Sequence, residues 1–569
     1  MTVMGAEASG RFGGMLAWGA ARPRLVLALF CLILWAPGVF ALPPLDRDES
    51  RFAQASKQML ESGDLVDIRL GHVPRYKKPA GIYWMQAATT AVAGFGDRNA
   101  IWTYRLPSLI GGIVAVWLTF WCAGAFLRRE VALLAAALMG STLLLTGEAS
   151  LATTDAVLTA AILGAQAVLL RVWLAGKGAA PPPSLPIVLA GWACIGIAAL
   201  VKGPPVFIPF LTAALLCLWD REWRWLKGTR PLFGIPMLIA MVAPWVIAIT
   251  YKTHGQFFQA SLGQDFATKL QGGQEGHGAP PGYFLAALTP SFWPAILFLL
   301  PGLAQAIRSR HDPAIRFLLV WTAIWVVFEL VPTKLPHYVL PLYPALAIMA
   351  ALWASWPQGI GSILDRVLFT IAPVQFALVA AVLAAAAVVL PAYYGNGPAW
   401  WALAPVAVFA AAIVAALRAY FRRQMLAAAV LAILAPLILY PVLTAGVAPQ
   451  LSRIWVSPRL AAAIAPLRRD GDLAPALAGY IEPSTLFLMG TDTVHTDGRG
   501  AADTGAAQGG LALVEERELA AFKTRLAELE VAATELGHVD GLNAQNGHPV
   551  HIRIFRVAPV TETPAPPAE

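Results

Sequence analysis

Apolar runs of about twenty residues recur from near Leu25 to near Val447, about thirteen of them, each long enough to cross the roughly 30 Å of hydrocarbon in a bilayer. The pattern predicts a polytopic α-helical membrane protein whose membrane part occupies residues 1–448. Most of the polar breaks between runs are short, and two are long. The first covers residues 43–104. Within it Phe52, Ala55, Met59 and Leu60 recur at helical spacing with Arg51, Gln54, Lys57 and Gln58 between them, which predicts an amphipathic helix lying on the membrane surface. The stretch IYWMQAATTAVAGF predicts a second such helix, with Tyr83 and Trp84 at headgroup level. The second long break, between Tyr251 and Phe284, is polar and glycine-rich, the composition of a segment that could order over a ligand. From Pro449 the alternation becomes that of a soluble module. SPRLAAAIAPLRRDG and ELAAFKTRLAEL read as helices, GYIEPSTLFLMG and GLALVEERE as strand-bearing segments, and HIRIFRV as an alternating strand. Residues 449–558 are therefore expected to form a small α/β domain, and 559–569 a disordered tail.

Composition agrees with the pattern: 58% of the 569 residues are hydrophobic and 13% charged, with a mean hydropathy of +0.63. The net charge of +8 does not indicate a nucleic-acid partner, because the basic residues fall in short clusters between apolar runs. Arg22/Arg24, Arg128/Arg129, Arg171/Lys177, Arg221/Arg224/Lys227/Arg230, Arg308/Arg310 and Arg418/Arg422/Arg423 occupy every second loop. By the positive-inside rule these loops and the N-terminus face the cytoplasm, and the 43–104 loop and the C-terminal domain face outward. The first apolar run lacks a convincing small-residue cleavage site and reads as a retained span. All four cysteines lie in apolar runs, so no disulfide framework or zinc-ligand spacing is present.

The candidate chemistry gathers on the outer side. LDRDESRFAQ places Asp46, Asp48 and Glu49 where the chain leaves the first span. Asp46 and Glu49 have the spacing of a capping box, whereas Asp48 is not needed for one and is the better candidate for chemistry. RYKKPAGIYW supplies Arg75, Lys77 and Lys78, either attracted to anionic headgroups or forming a cradle for a phosphate. Asp155 at the start of one span competes with a capping role, and Lys202 and Lys334 at span ends compete with snorkelling. His277 and His337 lack ligand spacing and read first as polar packing. A transporter would scatter polar groups across the bilayer. Collection at one interface fits an enzyme acting there on a lipid-linked substrate.

At these residues the chain resembles the polytopic GT-C glycosyltransferases of the aminoarabinose lipid A transferase and protein O-mannosyltransferase type. The likeness is carried by DESRFAQASKQMLESGDLVDIRL, YKKPAGIYW, RLPS (105–108), TTDAVLT (153–159), VKGP (201–204) and TKLPHYVLPLYPALA (333–347), across most of residues 40–350. It implies a GT-C fold of about thirteen spans with juxtamembrane helices in the first loop and a C-terminal α/β periplasmic domain. It also implies location in the bacterial inner membrane, a polyprenyl (undecaprenyl) phosphate-sugar donor and an acceptor in lipid A or another envelope glycan. Asp48 matches the aspartate of the family's Asp-Glu motif, Lys78 the lysine before proline, and Asp155 the acid at the start of a later span. Lys202 and Lys334 match basic positions around the donor phosphate. In aminoarabinose transferases a glutamate precedes the Lys-Pro pair and, in the best-studied type, helps hold a structural zinc; Lys77 stands there in this chain and argues against that metal.

Asp48, Glu49 and Asp155 are thus expected to be catalytic, Lys78, Arg75, Lys202 and Lys334 to bind the donor phosphate, and Tyr83, His277, His337 and Tyr338 to contact substrate. No metal or cofactor is expected, and the chain is expected to act as a monomer among membrane lipids. Two other readings use the same features: a protein O-mannosyltransferase, and a flippase or transporter for a lipid-linked sugar.

Overall fold

The computed structural model describes residues 11–268, 278–357 and 361–559. Among the described residues the apolar runs form ten helices long enough to span a bilayer, beginning with Pro23–Ala41, Ile101–Ala123, Asp155–Gly176 and Leu185–Lys202. The pair Arg129–Ser141 and Leu143–Ser150, bent by 64°, forms either a broken span or a re-entrant segment. Two further apolar helices, Pro204–Asp220 and Ile296–Arg308, are shorter. Prolines 204 and 205 open the first of them, where a missing N–H is tolerated but a longer helix is not.

Tight helix packing fixes the geometry beneath the outer loop. A Cβ on Gly111 would lie 2.9 Å from the Val157 backbone, so Ile101–Ala123 and Asp155–Gly176 pack backbone to backbone at the level of Asp155. A Cβ on Gly81 would lie 2.7 Å from the Leu200 carbonyl. Only glycine therefore lets the loop helix Gly81–Ala93 sit against the end of Leu185–Lys202, and this brings the Lys77-Lys78 segment towards Lys202. At the opposite end of the bundle Lys177 pairs with Asp220 at 2.6 Å and Glu222 at 2.9 Å, and Arg316 also reaches Asp220.

The loop helix Asp48–Ser62 is not a surface-lying amphipath. Nine of its residues are buried, polar Glu49, Ser50, Gln54, Ser56 and Lys57 among them, because it is clamped between the bundle and the C-terminal domain. Gln54 Nε2 donates to Thr491 Oγ1 at 2.8 Å, and Lys57 Nζ to the Phe487 carbonyl at 3.1 Å. Tyr83 is likewise fully buried within the protein.

The C-terminal domain carries a five-stranded sheet in the order Val494–Thr496, Ala476–Ala478, Gly510–Glu515, Pro549–Val557, Ala533–Leu542. The first three strands are parallel, and Pro549–Val557 is antiparallel to both its neighbours. Val456, Leu460 and Ile464 pack on one face, Ala501, Phe522 and Leu526 on the other. The helices expected in SPRLAAAIAPLRRDG and ELAAFKTRLAEL form, as do the strands in GLALVEERE and HIRIFRV. GYIEPSTLFLMG differs: Pro483 opens a helix, Pro483–Met489, in place of a strand. Nearly all of the 559–569 tail lies outside the described residues.

Candidate active site

The N-terminus of Asp48–Ser62 is held by charge. Glu49 is 2% exposed and Arg105 0%, and they form a bidentate pair, Arg105 Nε to Oε1 at 2.7 Å and Nη2 to Oε2 at 2.8 Å. Glu49 also accepts the backbone N–H groups of Leu45 (2.9 Å) and Ala152 (2.8 Å). Arg105 donates onward to the carbonyls of Val39, Leu42 and Pro43. The pair thus ties together the end of the first span, the loop helix and the chain just before Asp155. These contacts occupy both oxygens of the Glu49 carboxylate, which is outside the lining of the cavity at Asp48, and they hold the helix in position. The capping box does not form, since Arg47 is the N-cap and no side chain caps the helix. Asp46 instead accepts a hydrogen bond from Ser484 of the C-terminal domain, and burial raises its carboxyl above the usual range.

Asp48 and Arg51, one turn apart at 3.5 Å, line a cavity together with residues from five other segments. These are Arg75, Lys77 and Lys78 of the first loop, Glu148 in the second helix of the bent pair with Thr153, Thr154 and Asp155 just after it, Lys202, Asp265 of the second loop, and Thr333, Leu335, His337 and Tyr338. The cavity leaves ≈ 110 Å³ for the centres of water molecules. Its acids stand beside cations: Lys202 Nζ to Asp155 Oδ1 at 2.8 Å, Lys78 Nζ to Asp265 Oδ2 at 3.9 Å, and His337 Nδ1 to Glu148 Oε1 at 3.4 Å. Thr154 Oγ1 also donates to Asp155 Oδ2 at 2.8 Å, without capping the helix. Lys202 has turned inward to Asp155, over the Tyr338 ring at 5.2 Å, so it does not snorkel. Arg75 is 8% exposed, lies over the Phe52 ring at 5.3 Å, and its Nε has no hydrogen-bond partner. A buried guanidinium with an unmet donor is a ready anion site.

Of the expected site residues, the fold thus brings Asp48, Arg75, Lys78, Asp155, Lys202, His337 and Tyr338 to one cavity. Tyr83 stays outside it: its buried hydroxyl lies beside Arg75 and its ring against Phe52 at 5.5 Å, so it supports Arg75 from behind. Lys334 is also elsewhere, donating to the carbonyls of Glu329 and Val331 at 2.7 Å each. It closes the end of the helix Trp325–Leu330, whose last carbonyls lack intrahelical donors, and so shapes the turn that presents Thr333 and His337. His277 lies outside the described residues.

Sequence reasoning missed Glu148, Arg51 and Asp265. Glu148 was detectable as an acid in an apolar stretch seven residues before Asp155, whereas Asp265 looked like any polar loop residue until Lys78 was placed beside it. Glu148, Asp155 and His337 offer ligand atoms within 4.8 Å of one another, a set able to hold a divalent cation. His337 has no ligand spacing in the sequence because these neighbours come from a segment nearly two hundred residues earlier. Lys202 already supplies a positive charge to Asp155 at that point.

Comparison with known proteins agrees with this architecture. Residues 22–255 match the model of the dolichyl-phosphate-mannose-protein mannosyltransferase family. The undecaprenyl phosphate-alpha-4-amino-4-deoxy-L-arabinose arabinosyl transferase of Pseudomonas paraeruginosa is 30% identical over 328 residues, 56% of this chain and 58% of that protein. The protein of the same name from Erwinia tasmaniensis is 27% identical over 352 residues, 59% of this chain and 60% of its own length. The chain thus matches under two thirds of these relatives' length. The crystal structure of ArnT from Cupriavidus metallidurans bound to undecaprenyl phosphate superposes with a TM-score of 0.71 over 94% of this chain and 98% of that one, at 19% identity. The chain thus shares its fold with ArnT and is similar in sequence to the arabinosyl transferases and, over residues 22–255, to the protein mannosyltransferase family.

Proposed function

We propose that this protein transfers a sugar from a polyprenyl phosphate donor to an acceptor at the outer face of a bacterial inner membrane. The observation that carries the reading is the meeting of Asp48, Arg75, Lys78 and Lys202 in one cavity at one end of an apolar bundle. The names of the arabinosyl transferase relatives and the ArnT complex with undecaprenyl phosphate support undecaprenyl phosphate as the donor's lipid carrier. The paired basic residues at the other end, Lys177 and Arg316, support a cytoplasmic position for that end and an outward-facing cavity.

The chemistry follows from the charges. An acceptor oxygen attacks the anomeric carbon from the face opposite the phosphate. The carbon–oxygen bond to phosphate breaks, its electron pair goes to the phosphate oxygen, the lipid leaves as a monophosphate, and the sugar stays on the acceptor oxygen with its anomeric configuration inverted. Arg75 and Lys78 stabilise the charge that develops there, strengthened by apolar surroundings. Asp155 holds the Lys202 ammonium in place at 2.8 Å. Asp48, at the helix N-terminus and half exposed, orients the acceptor and takes its proton if the acceptor is a hydroxyl; for a phosphate acceptor it only positions. Lysine and arginine supply the positive charge, so transfer needs no metal.

Lipid A or another envelope glycan is the favoured acceptor, on the resemblance of residues 40–350 to the aminoarabinose lipid A transferases. The match of residues 22–255 to protein mannosyltransferases favours a protein acceptor as the second reading. Radiolabelled donor fed to membranes separates them: label in lipopolysaccharide supports the first, label in protein the second. Movement of intact donor across the membrane without bond cleavage would replace both with a flippase.

A further inference from the structure

A groove enclosing ≈ 560 Å³ of empty space runs towards the end of the bundle away from the reaction cavity. It lies between the helices Asp155–Gly176, Leu185–Lys202 and Pro204–Asp220 and is closed at its far end by the turn Arg224–Thr229. Val168, Val172, Val188, Trp192, Phe210 and Leu226 make most of its wall. The polar groups of that wall are already satisfied. Trp192 Nε1 donates to the Thr229 carbonyl at 2.8 Å, and the Thr229 hydroxyl to the Leu226 carbonyl at 2.7 Å. Such a wall suits hydrocarbon and penalises any polar occupant. Phe210 is 46% exposed, so the groove opens sideways, towards the bilayer.

The rim is of the opposite character. Around the lining residues Leu226 and Thr229 the chain exposes Arg221, Arg224, Lys227 and Arg230. Among the described residues no acid pairs with any of these four. The acids of the same stretch are already taken: Asp220 pairs with Lys177 and Arg316, and Glu222 with Lys177. The turn is also held in shape. Trp225 is buried edge-on against Trp173 at 5.2 Å, and a Cβ at Gly234 would overlap the Trp192 ring that grips Thr229. Arg221 and Arg230, which bracket the turn, hold left-handed backbone at φ +53° and +50°, a conformation that non-glycine residues keep only where their surroundings enforce it. Trp219 and Trp223 in the same stretch are each more than half exposed, as indole rings at headgroup level are.

We propose that this groove holds an acyl chain of an anionic phospholipid whose phosphate is bound by the exposed cations of the Arg224–Thr229 turn. The occupant follows from the two halves of the site, a wall that accepts hydrocarbon and a rim of unneutralised positive charge. A zwitterionic phospholipid carries its own cation to that rim and gains less there. A prenyl phosphate with its phosphate in the reaction cavity would leave the rim without an anion. The inference is independent of the transfer chemistry. It also differs from general attraction of a basic loop to headgroups, because it ties the charges to one groove.

The test uses full-length protein in non-ionic detergent, titrated by native mass spectrometry with dioleoyl phosphatidylglycerol and, separately, dioleoyl phosphatidylcholine, which has the same chains. The first phosphatidylglycerol should bind at least about tenfold more tightly, the ratio expected from one charge-assisted contact. Arg224→Gln combined with Lys227→Gln should bring it within about threefold of phosphatidylcholine. Arg418→Gln combined with Arg422→Gln removes as much charge from another basic loop, outside the groove, and should leave both affinities unchanged. All four side chains are exposed, so both double variants should fold. Ala213→Phe, which fills the groove, should weaken both lipids about tenfold; should it not fold, the double variants decide alone. Saturating undecaprenyl phosphate should leave phosphatidylglycerol bound. Equal affinity for the two lipids, equal loss in the two double variants, indifference of a folded Ala213→Phe, or displacement by undecaprenyl phosphate would each overturn the assignment.

Discussion

Among single residues, Glu49 and Asp48 are neighbours with opposite fates. Glu49 has both oxygens committed to Arg105 and to two backbone amides, whereas Asp48 faces the cavity. Breaking a buried pair by removing one charge leaves the other stranded and costs about 3–5 kcal/mol. Glu49→Gln should therefore lower the thermal midpoint sharply and reduce the yield of folded protein. Asp48→Asn should leave the midpoint within a degree or two of wild type, since exposed sites change stability little. Differential scanning fluorimetry on both variants separates them. The adjacent Asp and Glu are visible in the sequence, and so is Arg105 as a charge within an apolar run, but their pairing spans 56 residues and no local spacing announces it. Lys334 shows the same limit: its charge was legible, and its three carbonyl partners were not.

For whole elements, periodicity identified the membrane helices and the two loop helices well, because apolar runs and helical spacing are local signals. It placed Asp48–Ser62 on the lipid surface, because it cannot register a second protein layer; buried Gln54 and Lys57 find partners more than four hundred residues away. That layer gives a pH prediction. In the unfolded chain Glu482 loses its proton near pH 4.5; in the folded protein it keeps it until about 7. The native state then binds more protons across that window, so stability falls as pH rises from 4.5 through 7. The thermal midpoint of the C-terminal layer should drop over this range and flatten in Glu482→Gln. A midpoint in wild type that is level between pH 4.5 and 7 would show that the carboxyl titrates normally.

In the molecule as a whole, acids and cations from six segments converge at one end of the bundle. The sequence displayed most of them as charges bordering apolar runs, and their grouping by side was readable from the alternation of basic clusters. Which of them share a cavity depends on the 64° bend before Glu148 and on the seat of Gly81 against Leu200, neither of which has a sequence signature of its own. Lys202 on Asp155 gives a prediction at this scale. Turnover should be unchanged by EDTA and unstimulated by added Mg²⁺ or Mn²⁺; loss of activity in chelator, restored by one of these ions, would instead assign Glu148, Asp155 and His337 to a metal.

The most direct test of the cavity as a transfer site is single-turnover transfer from radiolabelled undecaprenyl phosphate-sugar in membranes supplied with purified wild-type protein, Lys78→Ala or Asp48→Asn. Wild type should release undecaprenyl phosphate and label an acceptor, while both variants, with thermal midpoints near wild type, should lose at least about a hundredfold in rate, the scale of removing one transition-state charge contact or an acid–base group. Wild-type rates from both folded variants would contradict the account.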